Sequence, residues 1–197
     1  MFKTAAKMVS EILNTGIPDV RQQRTYTCGV SALRAILAHF GIRQNENDLV
    51  KELDITSKKG TSPDTIVRGA QKYGLQAGIK ENMSYENLKT FVAKNIPIIV
   101  AIQDWPDSPQ KNLKNDWTDG HYVIVLDANE KTITVEDPAV IGRRRTFDKK
   151  DFEERWHDTD GKKRYIHTGI YFVKNIKKKT AAKMASEILN RCSPENL

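Results

Sequence analysis

The hydrophobic pattern of the chain changes its period near Pro97, and this change limits the folds that the sequence can form. Before Pro97, apolar residues recur at helical spacing; after it, short apolar runs alternate with polar turns. Helices that precede antiparallel strands are typical of the α+β class rather than of a repeating βαβ series. The sequence also lacks the GxGxxG and GxxxxGK[ST] motifs, so a nucleotide-binding βαβ fold is not expected.

Most of the predicted helices carry a recognisable start or stop signal. The first has Val30, Leu33 and Ile36 on one face, and Gly41 follows it as a stop. The N-caps predicted for the next three helices are Asn47, Ser62 and Ser84. The predicted helices are Cys28 to Phe40, Asn47 to Leu53, Ser62 to Tyr73, Ser84 to Lys94 and Lys149 to His157. The predicted strands are Ile98 to Ile102, His121 to Leu126, Thr132 to Val135 and Tyr165 to Val173.

A repeated segment lies near each end of the chain. KTAAKMVSEILN (residues 3–14) recurs as KTAAKMASEILN (residues 179–190), and each copy predicts a short amphipathic helix. We therefore expect an N-terminal helix in residues 1–16, a single domain in residues 17–174, and a C-terminal helix and tail in residues 175–197. Two interpretations of the repeat stay open: peripheral helices that pack on the domain, or a docking element for a partner or for self-association.

The bulk composition is that of an ordinary soluble globular domain. Of 197 residues, 39% are hydrophobic and 29% are charged, and no apolar stretch approaches the roughly 20 residues of a membrane span. The N-terminus has no continuous apolar segment of a secretory signal, so a cytoplasmic location is expected. The net charge of +7 comes without any nucleic-acid-binding motif, so we expect no nucleic-acid partner. The two cysteines, Cys28 and Cys192, show no zinc-binding spacing, and neither a metal nor a cofactor is expected.

Cys28 is the candidate nucleophile. It opens the first predicted helix, where the dipole and the unpaired backbone N–H groups favour an anion and so lower the pKa of a thiol. Gly29 beside it would allow a substrate to approach closely. The alternative is a small buried hydrophobic residue at a helix start, which is common for free cysteine.

A thiol nucleophile needs an imidazole, and His121 is the best placed of the four histidines. It opens an apolar strand directly after the long polar loop of residues 104–119, a typical position for a catalytic side chain. His39 would lie about 16 Å from Cys28 along the same helix, which is too far. His157 and His167 flank a turn and are interpreted as surface residues.

Asp137 is the candidate partner that orients His121. It ends the second strand of the hairpin that His121 begins. If Leu126 pairs with Thr132 across the turn, Asp137 faces His121 at the open end of the hairpin. The competing carboxylates are Asp116 and Asp119 in the preceding loop. Gln22, six positions before Cys28, has a side-chain amide that could donate to an oxyanion. The donor could also be the adjacent Gln23.

These residues together resemble the bacteriocin-processing peptidases that cut after double-glycine leaders, a family within the papain-like cysteine peptidases. The matching segments are residues 22–29, Gly120-His121-Tyr122-Val123 and Asp137-Pro138. The resemblance implies a papain-like α+β fold, in which the helix that carries the nucleophile packs on an antiparallel sheet that carries the histidine and the aspartate. It also implies that Cys28 forms an acyl-enzyme, His121 is base and then acid, Asp137 orients His121, and Gln22 donates to the oxyanion.

The sequence thus predicts a cysteine peptidase that acts on a peptide or protein substrate. Two alternatives use the same residues. A papain-like acyltransferase would pass the acyl group to an amine or thiol, and a non-catalytic module on the same fold would bind a peptide without cleaving it.

Overall fold

The computed structural model describes residues 16–106, 112–142 and 144–174. The two copies of the repeat lie outside these ranges, so the terminal helices and the domain limits stay predictions. The described helices are α1 (Cys28–His39), α2 (Glu46–Glu52), α3 (Pro63–Lys72), α4 (Tyr85–Ala93) and α5 (Lys149–Arg155). The described strands are β1 (Leu75–Lys80), β2 (Ile98–Gln103), β3 (Gly120–Ala128), β4 (Thr132–Glu136), β5 (Arg145–Asp148), β6 (His157–Thr159), β7 (Arg164–Ile166) and β8 (Gly169–Lys174).

One antiparallel sheet of six strands, in the order β1-β8-β2-β3-β4-β5, forms the centre of the described domain. Helices α1, α2 and α3 contribute to the apolar core on one face, and α4 and α5 to the core on the other. The mixed helix-and-antiparallel-sheet architecture confirms the α+β prediction. None of the helices in the described part of the chain is long and apolar enough to cross a membrane.

The continuous apolar run of β2 follows from this position between two cores. All six of its residues are buried. Ile99 and Ala101 join the core beside α1, whereas Ile98, Val100 and Ile102 join the core beside α4 and α5. Because successive side chains of a strand point to opposite faces, a strand that is covered on both sides favours apolar residues on both faces, as in residues 98–102.

The predicted helix starts at Ser62 and Ser84 are confirmed. Each serine side chain accepts a hydrogen bond from the backbone N–H three residues further on. The prediction for the second helix is wrong by two residues, since Asn45 is its N-cap and accepts from the N–H of Asn47 at 2.8 Å. Asparagine is a favoured N-cap residue, so the sequence allows either Asn45 or Asn47 as the cap. The local backbone conformation decides between the two.

The last predicted strand, Tyr165 to Val173, is in fact two strands in two sheets. His167 adopts a positive φ of 44° and breaks the run. The part before it, β7, pairs with β6 in a separate two-stranded sheet, and the part after it, β8, lies between β1 and β2. The predicted helix from Lys149 also ends early, at Arg155, because His157 begins β6.

We expect Trp156, which is fully buried, to be a main determinant of stability. Its indole N–H donates to the Thr168 carbonyl at 3.0 Å, and its ring packs against Phe152 and His167. Trp156→Ala should lower the free energy of unfolding by about 3–5 kcal/mol, measured by urea denaturation. Ile141→Ala is the control, since that side chain is 62% exposed and its loss should cost less than about 0.5 kcal/mol. Equal effects of the two changes would contradict the packing described here.

Candidate active site

Cys28 is the first residue of α1, and its side chain is buried to 9% exposure. Thr27 precedes it as N-cap but makes no side-chain capping bond to the helix. The backbone N–H groups of Gly29 and Tyr122 hydrogen-bond the sulfur. The thiol therefore lies where a helix N-terminus and the adjoining strand both present donors to an anion.

Gly29 is required for packing inside the protein. A Cβ at this position would lie 2.8 Å from the Cβ of Thr61 and 3.0 Å from the Tyr122 ring. The expectation that this glycine lets a substrate approach stays a prediction, beside its role in packing. It lets α1 approach β3 and the start of α3, and so brings Cys28 to the sheet that carries the histidine.

His121 is the second residue of β3 and is 5% exposed. Its Nε2 lies 2.6 Å from Oδ1 of Asp137, and its ring also hydrogen-bonds the Cys28 thiol. Because Nε2 is engaged by the carboxylate, Nδ1 is the nitrogen that faces the sulfur. The structure thus brings the three sequence-predicted residues Cys28, His121 and Asp137 into one hydrogen-bonded row.

The register that was expected to join His121 and Asp137 is wrong, although the contact forms. Leu126 does not pair with Thr132: Ile124 lies opposite Glu136, and a bulge shifts the pairing between Val125 and Asp127. His121 is therefore three residues beyond that last pair and Asp137 is one residue beyond it. Their side chains meet diagonally across the strands, a distance that long side chains can span.

The electrostatics of the row favour a thiolate beside an imidazolium. Burial alone raises the pKa of the Cys28 thiol, but the hydrogen bond and charge of His121 and the two backbone N–H groups bring it below its usual value. Burial alone lowers the pKa of His121, whereas the contacts with Asp137 and Cys28 raise it to about 10. The lowered pKa of the thiol and the raised pKa of the imidazole both widen the pH range in which the thiolate and the imidazolium coexist.

Asp137 is fully buried and is held by more than the histidine. Burial raises the pKa of this carboxyl, but hydrogen bonds from His121, Arg145 and the Ala139 N–H bring it down to about 2. Nη1 of Arg145 donates to Oδ2 of Asp137 at 2.5 Å and also bonds Asp104. Arg155 donates to the same Asp104 at 3.1 Å.

Arg145 and Asp104 are site residues that the sequence did not indicate. In the sequence, Arg145 is one member of a run of basic residues, and Asp104 is the first residue of a polar loop. The guanidinium of Arg145 lies over the rings of Trp105 and Phe147, at 4.7 and 4.6 Å. Two aromatic rings and two carboxylates restrain the guanidinium of Arg145. Because the guanidinium is restrained, it holds Asp137 in place.

The backbone before His121 is fixed by the fully buried side chain of Gln103. Its amide nitrogen donates to the His157 carbonyl at 3.1 Å, and its oxygen accepts from the Asp119 N–H at 3.0 Å. His157 is itself buried to 7% exposure, so its interpretation as a surface histidine is wrong. It contacts the Asp116 carbonyl and Trp117 and has no contact with Cys28.

Gln22 is partly buried in the loop before α1. Its side-chain nitrogen donates to the carbonyls of Arg24 and Thr25 at 3.0 and 3.3 Å, and its backbone N–H donates to the Pro138 carbonyl at 2.9 Å. Its Oε1 is buried and has no hydrogen-bond partner in the described part of the chain. Gln22 is therefore tied to the residue after Asp137, which places this loop beside the row.

The fold, with helices packed on an antiparallel sheet, is that of the papain-like peptidases. Within that class the chain belongs to the Peptidase_C39 like family, whose model matches residues 14–163.

Three known proteins illustrate the similarity. An uncharacterised protein of Methanothermobacter thermautotrophicus is 29% identical over 133 residues, which cover 66% of this chain and 79% of that protein. The peptidase domain of Streptococcus ComA, a bi-functional ABC transporter of a quorum-sensing pathway, superposes with a TM-score of 0.60 at 18% identity, over 79% of this chain and 97% of that domain. A double-glycine-motif protease from an AMS/PCAT transporter, solved with its leader peptide, gives a TM-score of 0.55 at 18% identity, over 79% of this chain and 89% of the other.

The pairing of Cys28 with His121 predicts a reactive thiol at neutral pH. In a Cys192→Ser background, where Cys28 is the single cysteine, alkylation by iodoacetamide should proceed readily at pH 6.5. His121→Ala removes the group that lowers the thiol pKa and leaves burial, which raises it. The rate at pH 6.5 should fall by about tenfold or more, and the midpoint of the pH profile should rise. Identical profiles for the two proteins, measured by mass spectrometry, would contradict the pairing.

The contact between Arg145 and Asp137 predicts a specific pH dependence of stability. A carboxyl with a lowered pKa stabilises the folded state above its unfolded value near 4, and this contribution disappears as the pH falls towards 2. Arg145→Met should therefore cost about 2 kcal/mol of unfolding free energy at pH 6 and clearly less at pH 2. Arg145→Lys retains the charge and should keep most of the pH dependence. A cost of Arg145→Met that is the same at both pH values would show that the ion pair contributes nothing.

Proposed function

We propose that this protein is a cysteine peptidase in which Cys28 attacks the carbonyl carbon of a peptide amide. The observation that carries the proposal is the buried, hydrogen-bonded row of Cys28, His121 and Asp137, in a chain of the Peptidase_C39 like family. A lowered thiol pKa and a raised imidazole pKa are what acyl transfer from a thiolate requires.

The steps follow from the positions of these groups. The Cys28 thiolate adds to the carbonyl carbon, and the carbonyl electrons move to oxygen. When the C–N bond breaks, the His121 imidazolium gives its proton to the departing amine, which leaves a thioester on Cys28. Neutral His121 then takes a proton from water as that water attacks the thioester, and the acid product leaves as the thiolate–imidazolium pair is restored.

Asp137 acts by holding the imidazole with Nδ1 towards the sulfur. Its short contact to Nε2 fixes the ring, and its charge favours the imidazolium between the two halves of the reaction. Arg145 anchors the other carboxylate oxygen, so Asp137 cannot turn away from the histidine.

We assign the oxyanion donors to the backbone N–H of Cys28 and the side-chain amide of Gln22. Gln22 is within the same loop as Cys28, and its amide donates to two loop carbonyls in the absence of substrate. One of these two N–H groups has to turn to the oxyanion during the reaction. Removal of one such donor typically costs a hundred- to a thousandfold in kcat.

The substrate that we propose is a peptide or protein segment, cut after a pair of small residues. Support comes from the protease that shares this fold and was solved with a double-glycine leader peptide. An enzyme that passes the acyl group to an amine would use the same three residues, so the second step must be measured separately from the first.

The central experiment uses a peptide with a Gly-Gly pair and a matched peptide with bulky residues at that pair. The unmutated protein should cleave the first peptide faster, and Cys28→Ala should reduce cleavage at least a thousandfold, measured by liquid chromatography and mass spectrometry. Added hydroxylamine or glycine amide traps the thioester, and a product that forms only with the amine would favour the acyltransferase. Peptide binding that survives Cys28→Ala, without turnover by the unmutated protein, would favour a binding module.

A further inference from the structure

One carboxylate outside the catalytic row is completely buried beneath the nucleophile loop. Glu46, the first residue of α2, has 0% exposure. Glutamate is almost never fully buried unless its charge is paired or hydrogen-bonded, because desolvation of the charge is costly. No pattern in the sequence distinguishes this glutamate from the others.

The carboxylate accepts hydrogen bonds from two directions. On the loop side, Oε1 accepts from the backbone N–H of Gln23 at 2.9 Å and from the hydroxyl of Thr27 at 2.7 Å. On the helix side, Oε2 accepts from the hydroxyl of Ser31 at 2.6 Å, and the guanidinium of Arg34 lies 3.7 Å away. Each oxygen is thus satisfied by protein groups, which accounts for the burial of the charge.

The two loop contacts hold both ends of the segment 23–27. Gln23 directly follows Gln22, and Thr27 directly precedes Cys28. A single oxygen atom, Oε1, therefore fixes the residue next to each of the two proposed oxyanion donors. Within the segment, the backbone N–H of Thr27 donates to the carbonyl of Arg24 at 3.2 Å, the same carbonyl that receives the Gln22 amide.

We propose that Glu46 is a positioning residue of the peptidase, whose carboxylate sets the spacing between the Gln22 amide and the Cys28 N–H. The inference rests on the proposed function and extends it. Glu46 touches neither the thiol nor the imidazole row in the structure, and it acts on the oxyanion site through Gln23 and Thr27. Donors that are misplaced by about 1 Å lose most of their effect on a transition state, so a fixed loop has a direct kinetic consequence.

Two variants that should lower the stability to a similar extent distinguish this positioning role from a merely structural one. Thr27→Val removes the loop-side hydroxyl and keeps the shape of the side chain, whereas Ser31→Ala removes the helix-side hydroxyl. Both residues are fully buried, and each variant removes one hydrogen bond to the same carboxylate. Thr27→Val also removes the acceptor of the Arg24 N–H, which belongs to an exposed residue that water can reach. We expect a similar loss of thermal stability from both. Thr27→Val should lower kcat ten- to a hundredfold with KM changed less than threefold, and Ser31→Ala should leave kcat within threefold.

Glu46→Met tests the carboxylate itself. Methionine has a similar length but lacks both acceptor oxygens, so the Gln23 N–H and the Thr27 hydroxyl lose their common partner. The substitution should lower kcat at least as much as Thr27→Val does. Alkylation of Cys28 should keep its pH profile in both variants, because the contact of His121 with the thiol does not pass through the loop. If Thr27→Val and Ser31→Ala lose kcat to the same extent, in proportion to their losses of thermal stability, the inference is overturned.

A measurement without turnover keeps the inference separate from the proposed function. The side-chain amide of Gln22 gives a resonance pair in ¹⁵N-resolved NMR spectra, assigned by comparison with Gln22→Glu. This pair should shift or broaden in Thr27→Val and Glu46→Met and stay unchanged in Ser31→Ala. If the unmutated protein cleaves no peptide, the proposed function fails while this NMR pattern still supports Glu46 as the residue that positions the loop. An unchanged Gln22 resonance in all three variants would refute that role whether or not the protein is a peptidase.

Discussion

A thiolate and an imidazolium in a buried site are stable only if the surrounding structure compensates for their desolvation, and the structure does this with a row of alternating charges. Cys28 and His121 are followed by Asp137, Arg145, Asp104 and Arg155, and each member contacts the next. The row starts at the first helix, follows the ends of strands β2 to β5 and ends at α5, where Arg155 also bonds Asp151. Because removal of one partner from a buried ion pair leaves the other uncompensated, the members depend on one another. The position of the nucleophile thus depends on elements that are far from it in the sequence.

The members of this row closest to the chemistry were predictable from the sequence, and the outer members were not. Cys28 and His121 lie at junctions, a helix start and a loop-to-strand boundary, and such junctions can be recognised from local patterns. Arg145 and Asp104 belong to the site because the fold brings them close to Asp137. For Arg145 this proximity depends on how β5 pairs with β4. No local pattern distinguishes Arg145 from the other basic residues of its run. Glu46 escaped notice for the same reason, since a glutamate in the first turn of a helix is usually a solvent-exposed residue.

The fold prediction failed at the edges of the sheet and succeeded in its centre. The strands β2, β3 and β4 were recognised because they carry buried side chains at most positions. The edge strands β1 and β5 were missed. Phe147 is the one buried residue of β5, and in β1 the apolar residues Leu75, Ala77 and Ile79 alternate but only Leu75 is buried. Hydrogen bonding to a neighbouring strand, rather than side-chain burial, defines these two strands. The bulge after Val125 is a similar case, since an extra residue in one strand has no sequence signature in this hairpin.

The position of β8 has a consequence for synthesis of the chain on the ribosome. This last described strand lies between β1 and β2, and Leu75 pairs with Lys174, so the sheet joins residues that are 99 positions apart. At the usual rate of about 5–20 residues per second, roughly 5–20 s pass between the synthesis of β1 and that of its partner. Until β8 has been made, the edge of β2 that pairs with it has no neighbouring strand, and an unpaired edge can pair with other chains. The complete sheet therefore forms only when nearly the whole domain has left the ribosome.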